Sequence, residues 1–319
     1  THSVGMTAVV NGMTFDPIVK EKLFKVYASL ICLDANNVGH SAKPWNDWTN
    51  AATNIDEITE YLTSGSVVLL KPGRYPLANT VNLTANITFR GVAADGVSAP
   101  AFADRPVIFC KTGAGNFRAF VLNDANARIE HLAITGFAGN DMNGGYGGTV
   151  RVVNGTVADC FLYSTGAASN TRGGALGLSG SSSVAERGVI SNCYTTLSSI
   201  GYHGGAMAIS GGRAENCLIV GCRSNGAGGV YLNGGSLANC IVSGCYTSDG
   251  SKILTGQFAP GYPSVVEFDR SELAKNDSGD GVKIVPETMP NGSTQLDARF
   301  RNRSVLRTVA IDPSTLSIT

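Results

Sequence analysis

Between residues 147 and 250 the chain repeats itself. Four segments open on a glycine pair: GGTVRVVNGTVADCFLYS from Gly147, GGALGLSG from Gly173, GGAMAISGGRAENCLIVGC from Gly204 and GGVYLNGGSLANCIVSGC from Gly228. Each runs glycine pair, short apolar strand, glycine turn, second apolar strand and polar loop. The period is about 23 to 31 residues, too short for one unit to bury its own apolar face, so neighbouring units must stack. Two columns appear on alignment. One holds His131, Cys160, Gly188, Cys217 and Cys240, and the other holds Cys193, Cys222 and Cys245. Two places after the first column stand Ala133, Leu162, Ile190, Ile219 and Val242, the alternation of a strand with one buried face. Helix is excluded by the missing three- and four-residue spacing and by the glycine density. Strands of fixed phase joined by variable loops predict a solenoid. Antiparallel hairpins compete, but strand order and direction are the same in every unit, which a parallel stack explains more simply.

The same pattern extends towards the N-terminus. SVVLLKPGRYPL at 66–77 reads as strand, Pro-Gly turn, strand, and NTVNLTANITFRGV alternates Val81, Leu83, Ile87 and Phe89. Counting onwards through VIFCKTG, FRAFVLND and ARIEHLAITGF gives roughly seven coils, a stack roughly 30–35 Å tall at about 4.8 Å per coil. The expected fold is thus all-β, a right-handed parallel β-helix. PWNDWTNAATNIDEITEYL at 44–62 reads as a short capping helix. Thr53 or Asn54 would begin it, and Ile55, Ile58, Tyr61 and Leu62 would form its apolar stripe. Such a cap is needed because an open solenoid end exposes unpaired backbone. The repeat fades after 250, where GQFAPGYPS reads as a linker. The expected organisation is an N-terminal extension over 1–43, the β-helix with its cap over 44–255, and a linker with a C-terminal β cap or module over 256–319.

Composition narrows the function classes. Charged residues are 15% of the chain, and Lys+Arg and Asp+Glu are both 24. Zero net charge gives no electrostatic reason to capture nucleic acid. No apolar run reaches the ~18 residues of a membrane span. A chain starting at Thr1 is expected to be a processed or trimmed product, its signal peptide removed. Eight cysteines form no CxxC pair and four histidines are scattered, so a zinc framework is not expected. The cysteine columns read as small buried apolar residues, with disulfides as the alternative in an oxidising compartment and a redox or metal site as a third reading.

The run WNDWTNAATNIDEITEYLTSGSVVLLKPGRYPL resembles the entry segment of right-handed β-helix proteins of the pectin-lyase-like superfamily. There a short helix precedes a strand and a pGtY turn, matched here by Pro72, Gly73, Arg74 and Tyr75. ENCLIVGCRSNGAGGVYLNGG and ANCIVSGC resemble the repeats of secreted or surface-exposed β-helix proteins, including the polymorphic outer-membrane-protein type. The resemblance covers roughly 40–250. It implies the fold and a secreted or cell-surface location. It implies no activity, because the superfamily holds lyases, hydrolases, phage tailspikes and non-catalytic adhesins.

Candidate chemistry is sparse. Acids in the repeat are Asp141, Asp159, Glu186, Glu215 and Asp249. Glu186 and Glu215 occupy matching places, and two stacked carboxylates are weak calcium candidates. The competing reading is a solvent-facing polar ladder neutralised by Arg187 and Arg213. Otherwise no cofactor is expected. Long loops before the glycine pairs, at 138–146, 164–172 and 194–203, fall at one corner and should form one wall carrying Asp141, Tyr146, Arg172, Tyr202 and His203. Loops on rigid scaffolds carry function, and aromatics with polar neighbours suit sugars. The expected function is an extracellular or cell-surface structural or adhesive protein whose partner is a glycan or cell-surface ligand. The terminal segments 3–15 and 304–319 alternate and can self-associate by adding to a sheet edge. A polysaccharide lyase or hydrolase acting on a polyuronate and a tailspike-like receptor-binding protein are the alternatives.

Overall fold

The computed structural model describes residues 29–140, 145–168, 171–196, 204–224, 228–232 and 234–247, and of the segments 1–28 and 248–319 only their strands. The chain is an all-β parallel β-helix. Each full coil contributes to four ladders, taken here in chain order. In one coil these are Val150–Val152 (ladder I), Gly155–Ala158 (ladder II), Phe161–Tyr163 (ladder III) and Gly166–Ala168 (ladder IV). The next coil repeats them at Leu176–Leu178, Ser183–Glu186, Val189–Ser191 and Tyr194–Thr195. Every rung pairs in parallel with the one before and after. Ladder III is a nine-stranded sheet and ladder IV a five-stranded one.

Buried residues alternate as the strands require. On ladder III the middle residue of each rung points inwards, giving the stack Ile108, Ile134, Leu162, Ile190, Ile219 and Val242, all 0–2% exposed. On ladder I it is the outer pair that faces the core, as in Val150 and Val152 or Met207 and Ile209. The N-terminal coils fill their interior with aromatics, Phe89 against Phe120 at 5.4 Å and Phe117 against Phe137 at 5.5 Å. Burying each such side chain stabilises the stack by ~1.5–3 kcal/mol.

Two corners set the coil's shape. Ladders II and III are joined by His131, Asp159, Arg187, Asn216 and Asn239, all with φ between 49° and 56°. The residue after each corner turns inwards, so the column is Leu132, Cys160, Gly188, Cys217 and Cys240, all buried except the half-exposed Gly188. His131 therefore belongs one place earlier than sequence alignment puts it, and Ile134, not Ala133, matches Leu162. Ladders III and IV are joined by Gly136, Ser164, Asn192, Gly221 and Gly244, again with positive φ, followed by Phe137, Thr165, Cys193, Cys222 and Cys245. Short polar residues and glycine predominate at these bends because left-handed backbone costs them least. All eight cysteines are thiols. Burial pushes Cys160 up to about 12 and raises Cys222 and Cys245 well above the ordinary thiol value.

The N-terminal end departs from expectation in form. No α-helix lies in 44–62. The segment runs as turns with one 3-10 turn at Thr59–Tyr61, begun by Ile58, not by Thr53 or Asn54. Asn54 does accept the Glu57 N–H through Oδ1 at 3.0 Å, the bond an N-cap makes, but the turns that follow do not continue into an α-helix. The segment still covers the end. The Trp45 carbonyl accepts the Cys32 N–H at 2.7 Å, the Ala52 N–H bonds to the Cys32 carbonyl at 2.9 Å, and the Ala52 carbonyl accepts from Asp34 at 2.9 Å. These bonds satisfy the outer edge of the first rung, Leu30–Leu33, which pairs in parallel with Val67–Leu70. The stack thus begins at 30, ahead of the boundary at 44. In the pGtY turn, the buried Tyr75 hydroxyl lies 2.9 Å from the Lys71 carbonyl and 3.1 Å from that of Leu33, and accepts the Ala35 N–H at 3.3 Å. It ties the turn to the first rung.

The C-terminal strands continue the ladders. Ser264–Asp269 and Leu296–Arg301 add to ladder II, and Glu272–Ala274 and Val305–Arg307 to ladder III. Ladder II then has ten rungs, roughly 43 Å from first to last at about 4.8 Å each, taller than the seven coils counted in the sequence. At the N-terminus His2–Met6 pairs antiparallel with Ile18–Phe24, so that segment meets its own chain. Among the described residues no helix is long and apolar enough to cross a membrane.

Candidate functional site

The expected loop wall is in part a sheet. Residues 138–140, 166–168 and 194–195 form rungs of ladder IV, and the chain then crosses to ladder I through the glycine pairs. These glycines are required by close approach. A Cβ on Gly174 would lie 2.2 Å from the carbonyl oxygens of both Gly205 and Tyr194. Gly147, at φ +74°, would clash with the backbone N of Gly177 at 2.7 Å on the outer side of ladder I. The crossing segments thus lie flat over ladder I, and the residues beside the glycines are held on a narrow seam between ladders I and IV.

Of the five candidates, Tyr146 and Arg172 are brought together, and Asp141, Tyr202 and His203 lie outside the described residues. Tyr146 and Arg172 form a parallel bridge on adjacent coils. The Arg172 N–H bonds to the Gly145 carbonyl at 2.8 Å, and its own carbonyl accepts from Gly147 at 2.7 Å. The Arg172 guanidinium carbon is 5.6 Å from the centre of the Tyr146 ring and 5.8 Å from that of Tyr231. Tyr231 was not singled out by sequence. It is the outward middle residue of a ladder I rung, yet only 2% exposed, because the crossing segment at Gly204 lies over it.

Ladder IV adds residues that sequence reasoning missed. Its first position carries Tyr194, Arg223 and Tyr246 on successive rungs. The signal was present, since each directly follows a member of the second cysteine column, and a buried corner residue must be followed by an outward one.

The carboxylates are in different company. Glu186 and Glu215 are in register, as expected, and Asp159 is one place off, opposite Arg187. Each carboxylate meets arginine. Arg187 donates to both oxygens of Asp159 at 2.8 and 3.0 Å and to Glu186 at 3.1 Å, and Arg213 pairs with Glu215. Arg128 reaches across the intervening Ala158 rung to Glu186 at 2.9 Å and also binds Glu130, which Arg90 binds from the other side. Burial would raise the Glu130 and Glu186 carboxyls, but hydrogen bonds from these arginines outweigh it and hold both below the ordinary value. Asp249 lies outside the described residues.

No protein-family model and no curated protein matches the sequence. Among solved structures the chain is similar to a crystal structure of pectin methylesterase in complex with hexasaccharide VII, at 12% identity and a TM-score of 0.37, over 92% of this chain and 95% of that one.

Proposed function

We propose that this chain is an extracellular or cell-surface β-helix protein of structural or adhesive kind, which holds a glycan against the seam between ladders I and IV. The observation that carries this reading is the Tyr146–Arg172–Tyr231 cluster. The partly exposed Tyr146 ring and Arg172 guanidinium lie side by side on the seam, with the buried Tyr231 ring 5.8 Å from the guanidinium, and a guanidinium beside a flat aromatic face suits a sugar ring. The acids of ladder II support a non-catalytic role, because they are engaged by arginine rather than held as a free acid and base pair. Calcium between Glu186 and Glu215 would have to displace Arg187 and Arg213. Self-association would proceed from the C-terminal rungs, since the backbone of 45 and 52 closes the N-terminal edge.

Titration of the full chain with a panel of neutral and acidic oligosaccharides tests the reading. Binding without turnover is expected, and Tyr146→Ala with Arg172→Ala should weaken it about ten-fold or more. Release of unsaturated or shortened products from a polyuronate would replace the adhesive reading with the lyase or hydrolase one.

A further inference from the structure

The backbone of 45 and 52 seals the edge of ladder II, and the ladders do not start level. Ladder II has two rungs, Leu30–Leu33 and Val67–Leu70, before its rung Thr88–Gly91. Ladder I starts later, in the same coil as Thr88. Its first rung is Val81–Leu83, which pairs with Phe120–Leu122 in the next coil and, among the described residues, with no strand on its other side. The Val81 N–H donates towards that next coil, to the Ala119 carbonyl at 3.0 Å. Peptide groups alternate sides along a strand, so the N–H and carbonyl of Asn82 point the opposite way, to the unpaired edge. The Thr80 carbonyl lies on the same edge. It accepts from the exposed Asn82 side-chain amide at 3.5 Å, a long bond that an incoming N–H would replace.

This edge opens into a cleft of about 410 Å³, within the ~300–1,000 Å³ of typical ligand sites. Asp56, Glu60 and Thr63 of the turn segment line one wall, and Thr80, Asn82 and Thr84 line the other. Val81 and Leu83 turn into the core, while Asn82 and Thr84 are exposed. An unpaired strand edge takes up an extended peptide through main-chain hydrogen bonds. Charge decides which peptide fits. The lining holds two carboxylates, Asp56 and Glu60, and no lysine, arginine or histidine. Asp56 is held against this side of the coil, its Oδ2 accepting the Ala78 N–H at 3.3 Å.

We propose that the cleft binds an extended peptide segment of a partner protein that carries lysine or arginine, and that this segment adds to ladder I as an extra rung beside Val81–Leu83. The main chain of Asn82 holds the strand, and Asp56 and Glu60 select its basic side chains. The site goes beyond the glycan-binding reading and shares no residue with it.

The test titrates the full chain with three synthetic octapeptides: alternating Val-Lys, alternating Val-Glu, and the Val-Lys peptide methylated at every backbone nitrogen. The Val-Lys peptide binds, more weakly as salt rises. The Val-Glu and methylated peptides bind at least about ten-fold more weakly. Asp56→Asn with Glu60→Gln weakens Val-Lys binding about ten-fold and flattens its salt dependence. Asn82→Pro removes the edge N–H, which the fold itself does not use, and weakens binding by a similar factor. Circular dichroism verifies that the variants remain folded, and the methylated peptide tests the same main-chain bonds on the unaltered chain. Equal binding of the methylated peptide overturns strand addition, and equal binding of Val-Glu overturns selection for basic residues. Failure of all three to bind overturns the site and leaves the glycan reading intact. A chain that associates with itself without peptide, and loses that association in Asn82→Pro, holds a second copy in the cleft, which overturns the partner.

Discussion

The outer faces of ladder II and ladder IV both carry arginine, in opposite surroundings. On ladder II and the corner that follows it, Arg90, Arg128, Arg187 and Arg213 all meet carboxylates, some of them two. On ladder IV, Arg223 meets a tyrosine ring. The first arrangement is self-neutralising. The in-register ladder stacks Glu186 on Glu215, and the guanidiniums of Arg128, Arg187 and Arg213 offset that like charge. The second leaves charge and aromatic surface unspent on the protein itself. In one fold, the same side chain thus serves cohesion on one face and suits recognition on another, and its neighbour on the adjacent rung decides which.

That contrast presumes the inward and outward assignments, and the most damaging substitution tests them. Ile219→Asp places an unpaired carboxylate in the core at a 0% exposed site and should prevent folding, at a cost of several kcal/mol. Leu218→Asp, one residue earlier and partly exposed, should cost about 1 kcal/mol. Chemical denaturation of both variants decides it, and comparable damage at the two positions would mean the faces are misassigned.

A smaller effect, still large, is expected at the seam. Gly174→Ala must push apart two carbonyl oxygens, that of Tyr194 on ladder IV and that of Gly205 in the next crossing segment, and should destabilise by roughly 2–4 kcal/mol. It should also disturb the seam, so glycan binding and thermal stability should fall together. Alanine at Gly113, which has open space around it, sets the background from its φ of +80° alone.

Smallest is the change on ladder II. Glu130→Gln should cost about 1–3 kcal/mol, the worth of charge-assisted hydrogen bonds, discounted because Arg90 and Arg128 remain partly exposed. The sign with pH follows from lowered native values for Glu130 and Glu186. Their contribution is complete above the ordinary glutamate value of 4.5 and is lost as pH falls through the lower native values. Thermal melts between neutral and acid pH should therefore decline below that point in the wild type, and less steeply in Glu130→Gln. Substitutions on ladder IV should leave this acid limb unchanged.

How far the sequence could be read depended on whether a feature repeated. Ile190, Ile219 and Val242 were assigned to the core because they recur in phase, and the stacking of Glu186 on Glu215 followed from the same register. The carboxylate partners did not follow, because Arg128 is separated from Glu186 by 58 residues and reaches it only over the small Ala158. Segment 44–62 reads as a capping helix because Ile55, Ile58 and Tyr61 are buried at helical spacing and Asn54 makes a cap-type bond to Glu57, yet a series of turns meets both conditions without an α-helix. The C-terminal segment reads as a separate cap because strand-like pieces such as SVVEFD are set apart by long, charged linkers, which hide that they keep the ladder phase. Ladder IV was read as loop because its rungs are two or three residues long. Its outward Tyr194, Arg223 and Tyr246 share position but not residue type, so only the cysteine before each one marks them.

The register of the corners has a consequence for how such a chain can change length. Each coil begins and ends at the same phase and touches only the coils beside it. A tandem duplication of the unit from Gly205 to Ala227 would insert one complete turn, meet matching rungs above and below, and disturb no distant contact. Because the first rung is closed by the backbone of 45 and 52, added turns displace only what lies beyond them. The gene can thus lengthen the molecule in whole steps, each adding one more copy of Arg223 to the outer face of ladder IV, so that copy number works as a ruler for the reach of that surface.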